Sequence, residues 1–378
     1  MKSLGSLALT RLLFGLLTIV VVSTVVFFAV ELLPGDVAQQ ILGRDATPET
    51  LASLRERLGL DQPAVLRYFS WLGGILGGDM GSSLVSEQDI AGLIGGRLGN
   101  TLFLATYAAV IAIPLALLLG ILAALYRDTW FDRMINMVTL AAISLPEFFV
   151  AYLLVVLFSI GLQIHFSAPL ALLSAVILLA MLRFALKGGD WRSAVFLIVA
   201  GVLLLFLING VFRIFPLTIS PMRILPSLSK LPEDGGFLER IYNSTLPMLN
   251  LVLVTTAYTM RMTRANIVNI LSASYIEMAV LKGASPARII FWHALPNAWA
   301  PIINVIALTL AYLITGVVVV EAVFVYPGLG QLLVDSVAKR DITVVQACCL
   351  IFAAAYVMLN MLADIFAIAT NPRLLHPR

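Results

Sequence analysis

The sequence predicts an all-α polytopic membrane protein, and three observations carry that prediction. Of 378 residues, 61% are hydrophobic and only 12% charged, at a mean hydropathy of +1.01, against about 25% charged and about 45–50% apolar in soluble domains. Polar side chains this scarce cannot cover a soluble surface, whereas a chain facing lipid needs no such cover. Second, the apolar residues gather in eight runs, on the scale of the roughly 20 residues a helix needs to cross about 30 Å of hydrocarbon. Third, Lys and Arg crowd the segments that alternate onto one side. Together these exclude a soluble enzyme and intrinsic disorder, and a net charge of +3 gives no reason to expect nucleic acid as a partner.

The eight runs cover residues 9–33, 101–125, 137–162, 168–186, 194–215, 246–262, 298–325 and 343–370. The first follows Lys2 and Arg11 as a signal peptide would. Its apolar run far exceeds the roughly 7–15 residues of a signal core, and no small-residue cleavage site follows, so it reads as an uncleaved first helix. The sixth is the weakest by length. With the N-terminus in the cytoplasm, the inner segments hold thirteen of the 24 Lys and Arg, mostly in short loops, as the positive-inside rule requires. The first outer segment instead carries a series of acidic groups from Asp36 to Asp89. Both termini are therefore expected inside, in a chain organised as 1–33 (first helix), 34–100 (outer loop region) and 101–378 (the remaining spans).

Within the outer segment, Thr47-Pro48-Glu49 reads as an N-cap, a proline at the first helical position and an acidic first turn. Gly59 ends that helix, and Gly73, Gly74, Gly77, Gly78 and Gly81 then punctuate turns. The glycines do not make a phosphate loop: no G-x-x-x-x-G-K-[ST] occurs, and no Lys follows a Gly anywhere in the chain, so P-loop binding of ATP by this chain is not expected.

Residues 263–297, an inner loop by the same alternation, are the most informative. Ser274-Tyr275-Ile276-Glu277 fits a capping box that starts a short helix at Tyr275. Gly283 stops it, glycine being suited to the left-handed conformation beyond a helix C-terminus. Ser285-Pro286 restarts a helix, with serine as N-cap and proline at its first position, leading through Ile289, Ile290 and Trp292 to Leu295-Pro296 and the next span. The first of these helices shows apolar Ile276, Met278, Ala279 and Leu281 outside the bilayer. Such a helix wants a groove, supplied either by a partner or by its own bundle.

At these residues the chain resembles the dipeptide/oligopeptide group of ABC importer permeases. Glu277-x-Ala279-x-x-x-Gly283, nine residues and then His293-x-Leu295-Pro296 is similar to that family's E-A-A…G…I-x-L-P loop. Met278 stands where a second alanine is usual, and His293 where isoleucine is usual. Leu33-Pro34-Gly35-Asp36 resembles the group's L-P-G-D. The run Leu58-Gly59-Leu60-Asp61-Gln62-Pro63, with Tyr68, Trp71 and Gly78-Asp79-Met80-Gly81, resembles its outer loop. Glu321-x-x-Phe324-x-x-Pro327-Gly328-Leu329-Gly330, then Arg340-Asp341, resembles its motif before the last span, and Asn371-Pro372-Arg373 replaces the usual D-P-R.

The resemblance implies a six-helix, type I importer-like permease core in a bacterial inner membrane. It implies that Tyr275, Glu277, Met278, Ala279, Gly283 and Ala284 belong to an ATPase-coupling helix and its turn. It further implies a second permease subunit in a heterodimer, two separate ATP-binding subunits or domains, and a periplasmic or extracellular substrate-binding protein. ATP hydrolysis on another chain fits the missing P-loop, and no catalytic residue or cofactor is expected here. The solute is expected to be a peptide or peptide-like compound, moved by alternating access. The alternative, a stand-alone secondary transporter or channel, should show internal repeats and paired charges at mid-depth; the charges instead cluster at span ends.

The resemblance covers residues 1–165 and 216–378. The segment 168–215 reads as an extra two-helix hairpin with its basic tip, Lys187 to Arg192, inside. Ionisable residues at membrane depth are functional candidates by default; Glu31, Glu147, Arg261, Arg264, Glu321 and Asp364 qualify. Glu147 follows Pro146 within the third run, so a kink there would aim it into the bundle, and both residues are possible pathway positions. Arg261 and Arg264 read as positive-inside residues that favour a helix C-terminus. His165, His293 and His376 make no metal pattern, and adjacent Cys348 and Cys349 read as small packing residues.

Overall fold

The computed structural model describes residues 4–31, 39, 46–57, 59, 61–160, 162–163, 218–219, 225–229, 231 and 236–370. They divide between two units, residues 1–151 with 228–378, and residues 152–227. In the larger unit, helix α1 (Leu4–Glu31) carries Leu9, Leu12, Leu13, Phe14, Leu16 and Leu17 exposed to the surroundings, the surface expected of a helix solvated by lipid. Helix α2 (Pro48–Arg57) starts as its sequence predicts: the Thr50 amide donates to Thr47 Oγ1 at 3.2 Å, and Gly59 closes it at φ +64°. Helix α3 (Ala64–Leu76) docks on the end of α1 through Tyr68, whose hydroxyl shares hydrogen bonds with Ser23 (2.9 Å) and Thr24 (3.0 Å). Phe27 meets Tyr68 edge-on, with ring centroids 5.4 Å apart.

Helix α4 (Ile90–Leu125) begins at Asp89, whose side chain accepts from the Gly92 amide. It runs eleven residues longer than the predicted span because its N-terminal turns pack on later segments of the chain: Ile90 and Ile94 are buried against Leu329, Leu332, Val344 and Cys348. Helix α5 (Trp130–Ser144) is capped by Thr129 and breaks at Leu145-Pro146. Helix α6 (Glu147–Val155) restarts beyond, and the apolar stretches Trp130–Ser144 and Glu147–Ser159 are bent by 102°. The predicted third span is thus two helices at a sharp angle rather than one kinked helix, because proline cannot supply the amide that continues the ladder.

Helix α7 (Phe237–Leu271) contains the sixth predicted span, the weakest, and is not among the helices apolar enough to count as a span. Its buried residues include Ser244, Asn250, Thr255, Thr256, Thr259 and Thr263 along with Leu246, Leu251 and Met260. The face of a helix that packs on other helices does not meet lipid, so it can carry threonine and asparagine. Its main neighbour is α4, which presents Ala108, Ala112, Ala116, Gly120 and Ala124 at four-residue spacing, the small-residue stripe that lets two backbones approach. A Cβ on Gly120 would come within 2.9 Å of the Met260 carbonyl oxygen and of Thr263 Cβ.

Helix α8 (Ser274–Leu281) and the three-residue α9 (Pro286–Arg288) follow. A π-helical stretch, Ile289–Ala294, joins α9 directly to α10 (Leu295–Phe324). Helices α11 (Leu329–Lys339) and α12 (Ile342–Thr370) complete this unit, with α12 packed on α1 and α10. The ends of the bundle are distinct: Met260, Ile267, Ala298 and Ile302 pack with the C-terminal turns of α4 near α8, whereas Asn100, Arg240 and Pro327 meet at the opposite end. Among the described residues, four helices are long and apolar enough to span a membrane, or five counting the bent pair, and the fold is an all-α polytopic one.

The smaller unit's described residues hold the π-helical Val156–Ile160 and an antiparallel pair, β1 (Leu162–Gln163) with β2 (Thr218–Ile219), in register Leu162↔Ile219 and Gln163↔Thr218. Ser159 Oγ donates to the Leu225 carbonyl at 2.7 Å. The predicted hairpin at 168–215 lies outside the described residues, as do Leu33-Pro34-Gly35-Asp36 and Asn371-Pro372-Arg373.

Candidate functional site

The loop between α7 and α10 is a short helix joined by a turn to the helical stretch that runs into α10. Helix α8 begins at Ser274, not Tyr275, with Ala273 in the extended N-cap conformation and no side-chain cap. The expected Ser274–Glu277 capping box is absent. Ala273 is drawn into the apolar cluster of Ile276, Ala279, Ile289 and Ala294, which fixes the helix start one residue early and leaves Ser274 and Glu277 exposed. The C-terminus matches expectation: Gly283 has φ +77°. Its amide donates to the Val280 carbonyl at 2.9 Å, and the Ala284 amide to the Ala279 carbonyl at 3.2 Å, the paired bonds of a Schellman turn. Ser285 then caps the next helix as predicted, accepting from the Arg288 amide at 3.4 Å while its carbonyl receives the Ile289 amide at 2.9 Å.

Of the two ways in which α8 was expected to bury itself, packing on its own bundle accounts for one face. Ile276 and Ala279 turn into the chain's own cluster. Met278 (56% exposed) and Leu281 (75% exposed) lie on the opposite face beside Glu277, with Tyr275 on the flank. That face is left uncovered by the chain's own residues.

Beneath α8, Arg264 grips Asp132: its Nε donates to Oδ1 at 2.7 Å and its Nη2 to Oδ2 at 2.6 Å. Asn136 and the Asp128 amide add two more hydrogen bonds to the same carboxylate. That hydrogen-bonded carboxylate holds the guanidinium pKa above its ordinary value. Because α7 runs on to Leu271, Arg264 is not in its last turn, and the helix-dipole role read from the sequence gives way to a bidentate tie between α5 and α7. Sequence reasoning missed the pair because its members are 132 residues apart.

Glu321 is fully buried at the opposite end. It accepts from Thr101 Oγ1 (2.7 Å), the Gly330 amide (2.6 Å) and the Gln331 amide (3.2 Å), while Thr101 Oγ1 receives the Leu329 amide at 2.7 Å. The Glu321…Pro327-Gly328-Leu329-Gly330 motif is therefore a folding device, an acidic group serving the amides at the start of α11. Asn100 Nδ2 donates to the Pro327 carbonyl, and Arg240 donates to Asn100 Oδ1. Nearby, Asp341 receives Ser83 Oγ and the Leu84 amide, tying the glycine-punctuated segment before α4 to the start of α12. Cys348 packs against Ile90 and Leu332 as a small apolar residue. Among the described residues no cluster of His, Cys, Asp or Glu is arranged to hold a metal.

Glu147 stands at the first position of α6, just past the break, and its Oε1 accepts from Tyr312 of α10 at 2.8 Å. Pro146 is exposed and Glu147 half-buried.

Comparison with known proteins completes the picture. The sequence pattern of the family described as "Binding-protein-dependent transport system inner membrane component" matches residues 116–376, and that of its N-terminal counterpart matches residues 6–105. The chain is 32% identical over 358 residues to the di/tripeptide transport system permease protein DppB of Pseudomonas aeruginosa, covering 94% of this chain and 95% of the relative. It is 31% identical over 368 residues to a putative peptide transport system permease protein of Brucella abortus, covering 97% and 98%. It is also 31% identical over 362 residues to the glutathione transport system permease protein GsiC of Escherichia coli strain K12, covering 96% of each chain.

Proposed function

The chain belongs to the binding-protein-dependent transport system inner membrane components, and from that premise we propose how it works in its complex and what it carries. It is a multi-pass permease subunit of an ABC importer and not an enzyme; ATP hydrolysis belongs to separate subunits, and a substrate-binding protein works with it. The solute is a peptide or peptide-like compound, a reading supported by relatives named for peptides and for glutathione. A second, different permease subunit completes the pathway, and two ATP-binding subunits sit beneath it. Both termini and α8 face the cytoplasm, supported by the crowding of Lys and Arg there. The organisation is a first helix at 1–33, an outer loop region at 34–100 and a permease domain at 101–378, with 168–215 as an added hairpin.

One observation carries the coupling mechanism: α8 exposes Met278 and Leu281 yet hangs by the Gly283 turn from an unbroken helical rod, Pro286 to Phe324. Closure of the ATP-binding subunits moves α8, and the rod transmits the movement to the membrane-spanning part of α10, switching the bundle between inward and outward access. Tyr275, Glu277 and Met278 form the contact face, and Ala279, Gly283 and Ala284 hold the turn. Pro146 and Glu147 line the pathway.

The test is substitution at the turn. Gly283→Val places a β-branched residue at φ +77°, a strain of about 1–2 kcal/mol in the left-handed region. It should leave the subunit inserted and assembled while uncoupling ATP hydrolysis from uptake in proteoliposomes. Gly283→Asn, which tolerates that conformation, should keep most of the uptake. Undiminished uptake by Gly283→Val would contradict the coupling role.

A further inference from the structure

Helix α10 contributes the apolar span Pro301–Phe324. Tyr312 stands at its middle, about 17 Å of helix from either end at 1.5 Å per residue. The Tyr312 hydroxyl donates to Glu147 Oε1 at 2.8 Å, so a carboxyl group lies at mid-depth of the span. A carboxyl group there is costly against lipid tails and is found facing a bundle interior or water. Among the described residues, a hydroxyl is its partner and no cation pairs with it.

Two further features mark the same spot as one that lipid does not line. The helix break at Ser144, Leu145 and Pro146 is exposed on this chain, and broken backbone at membrane depth is tolerated only where protein buries it or water fills a cavity beside it. On α10, Thr315 is also exposed. Gly316 leaves the space the carboxyl occupies, since a Cβ there would lie 3.2 Å from Glu147 Oε1.

Resting on the transport reading above, we propose that Glu147 and Tyr312 form a mid-membrane subsite for the cationic group of the passing solute, the ammonium of a peptide N-terminus or of a basic side chain. Tyr312 holds one carboxylate oxygen and leaves the other for the cation, while its ring face offers a second, weaker attraction to positive charge. The alternating bundle presents this subsite to one side and then the other. Glu147 thereby selects for charge within the permease itself, separately from the binding protein.

The experiment uses the complete importer in proteoliposomes, with trialanine and N-acetyl-trialanine as probes at saturating binding protein. Glu147→Gln should cut the ratio of trialanine to N-acetyl-trialanine turnover about tenfold, the scale of one charge-assisted hydrogen bond, and Glu147→Asp should recover part of it. Tyr312→Phe, which keeps the carboxylate, should lower the same ratio by a smaller factor and keeps the proposal testable if Glu147→Gln fails to assemble. An equal loss on both probes, as expected if Glu147 instead pairs with a Lys or Arg of the second permease subunit, overturns the subsite, and so does an unchanged ratio. Absence of ATP-driven uptake of both probes by the wild-type importer overturns the peptide reading itself, and the subsite with it.

Discussion

At the scale of single residues, Glu321 shows how much one buried side chain can organise. Replacing it with alanine strands two backbone amides and the Thr101 hydroxyl, each worth roughly 1–3 kcal/mol when buried without a partner. Glu321→Ala should therefore lower the thermal midpoint of the detergent-purified subunit by several degrees, with Glu321→Gln falling between it and wild type; a melting curve checks this. The sequence marks Glu321 as a charge at a span end and as part of a motif. It does not show the function, because Thr101 is 220 residues away. Ser274 and Glu277 show the reverse failure. Their spacing satisfies a local rule, but the burial of Ala273 with Ile276 and Ile289 sets the helix start, and packing outweighs a cap. Gly283 was legible because its reason is entirely local: the turn itself requires φ +77°.

At the scale of elements, the tie between α5 and α7 and the rod that includes α10 bear on coupling. Arg264→Ala leaves the Asp132 carboxylate, which is 4% exposed, without its cation, a loss of about 1.5–3 kcal/mol for a hydrogen bond to a charged group. It should loosen α5 from α7 and raise ATPase activity that is not matched by uptake. The double exchange Asp132→Arg with Arg264→Asp should restore part of the coupling, measured as solute moved per ATP. Gly120→Leu should be harsher than either single change, because the added side chain meets the Met260 backbone, and overpacking of this kind costs about 1–3 kcal/mol or more; loss of folded subunit on size-exclusion chromatography reads it. The α7 span reads as short because Thr and Asn interrupt its apolar run, and those side chains are buried among neighbouring helices. Only the tertiary fold reveals that.

At the scale of the whole molecule, composition and the placement of Lys and Arg were enough for an all-α membrane protein, and the ordered motifs were enough for its family. The break at Pro146 was legible as a kink, but its 102° angle and the meeting of Glu147 with Tyr312, 165 residues apart, were not. A reporter fused after Asp190 should register on the cytoplasmic side if residues 168–215 form the proposed hairpin with its basic tip inside; protease accessibility in sealed vesicles of known orientation measures it.

The central claim is that the exposed face of α8 meets the ATP-binding subunit. A photo-crosslinking amino acid at Leu281, which is 75% exposed, should form an adduct with the ATP-binding subunit in native membranes, and the same probe at the buried Ile276 should not. Adducts at Leu281 with lipid or with the substrate-binding protein, and none with the ATP-binding subunit, would contradict the account.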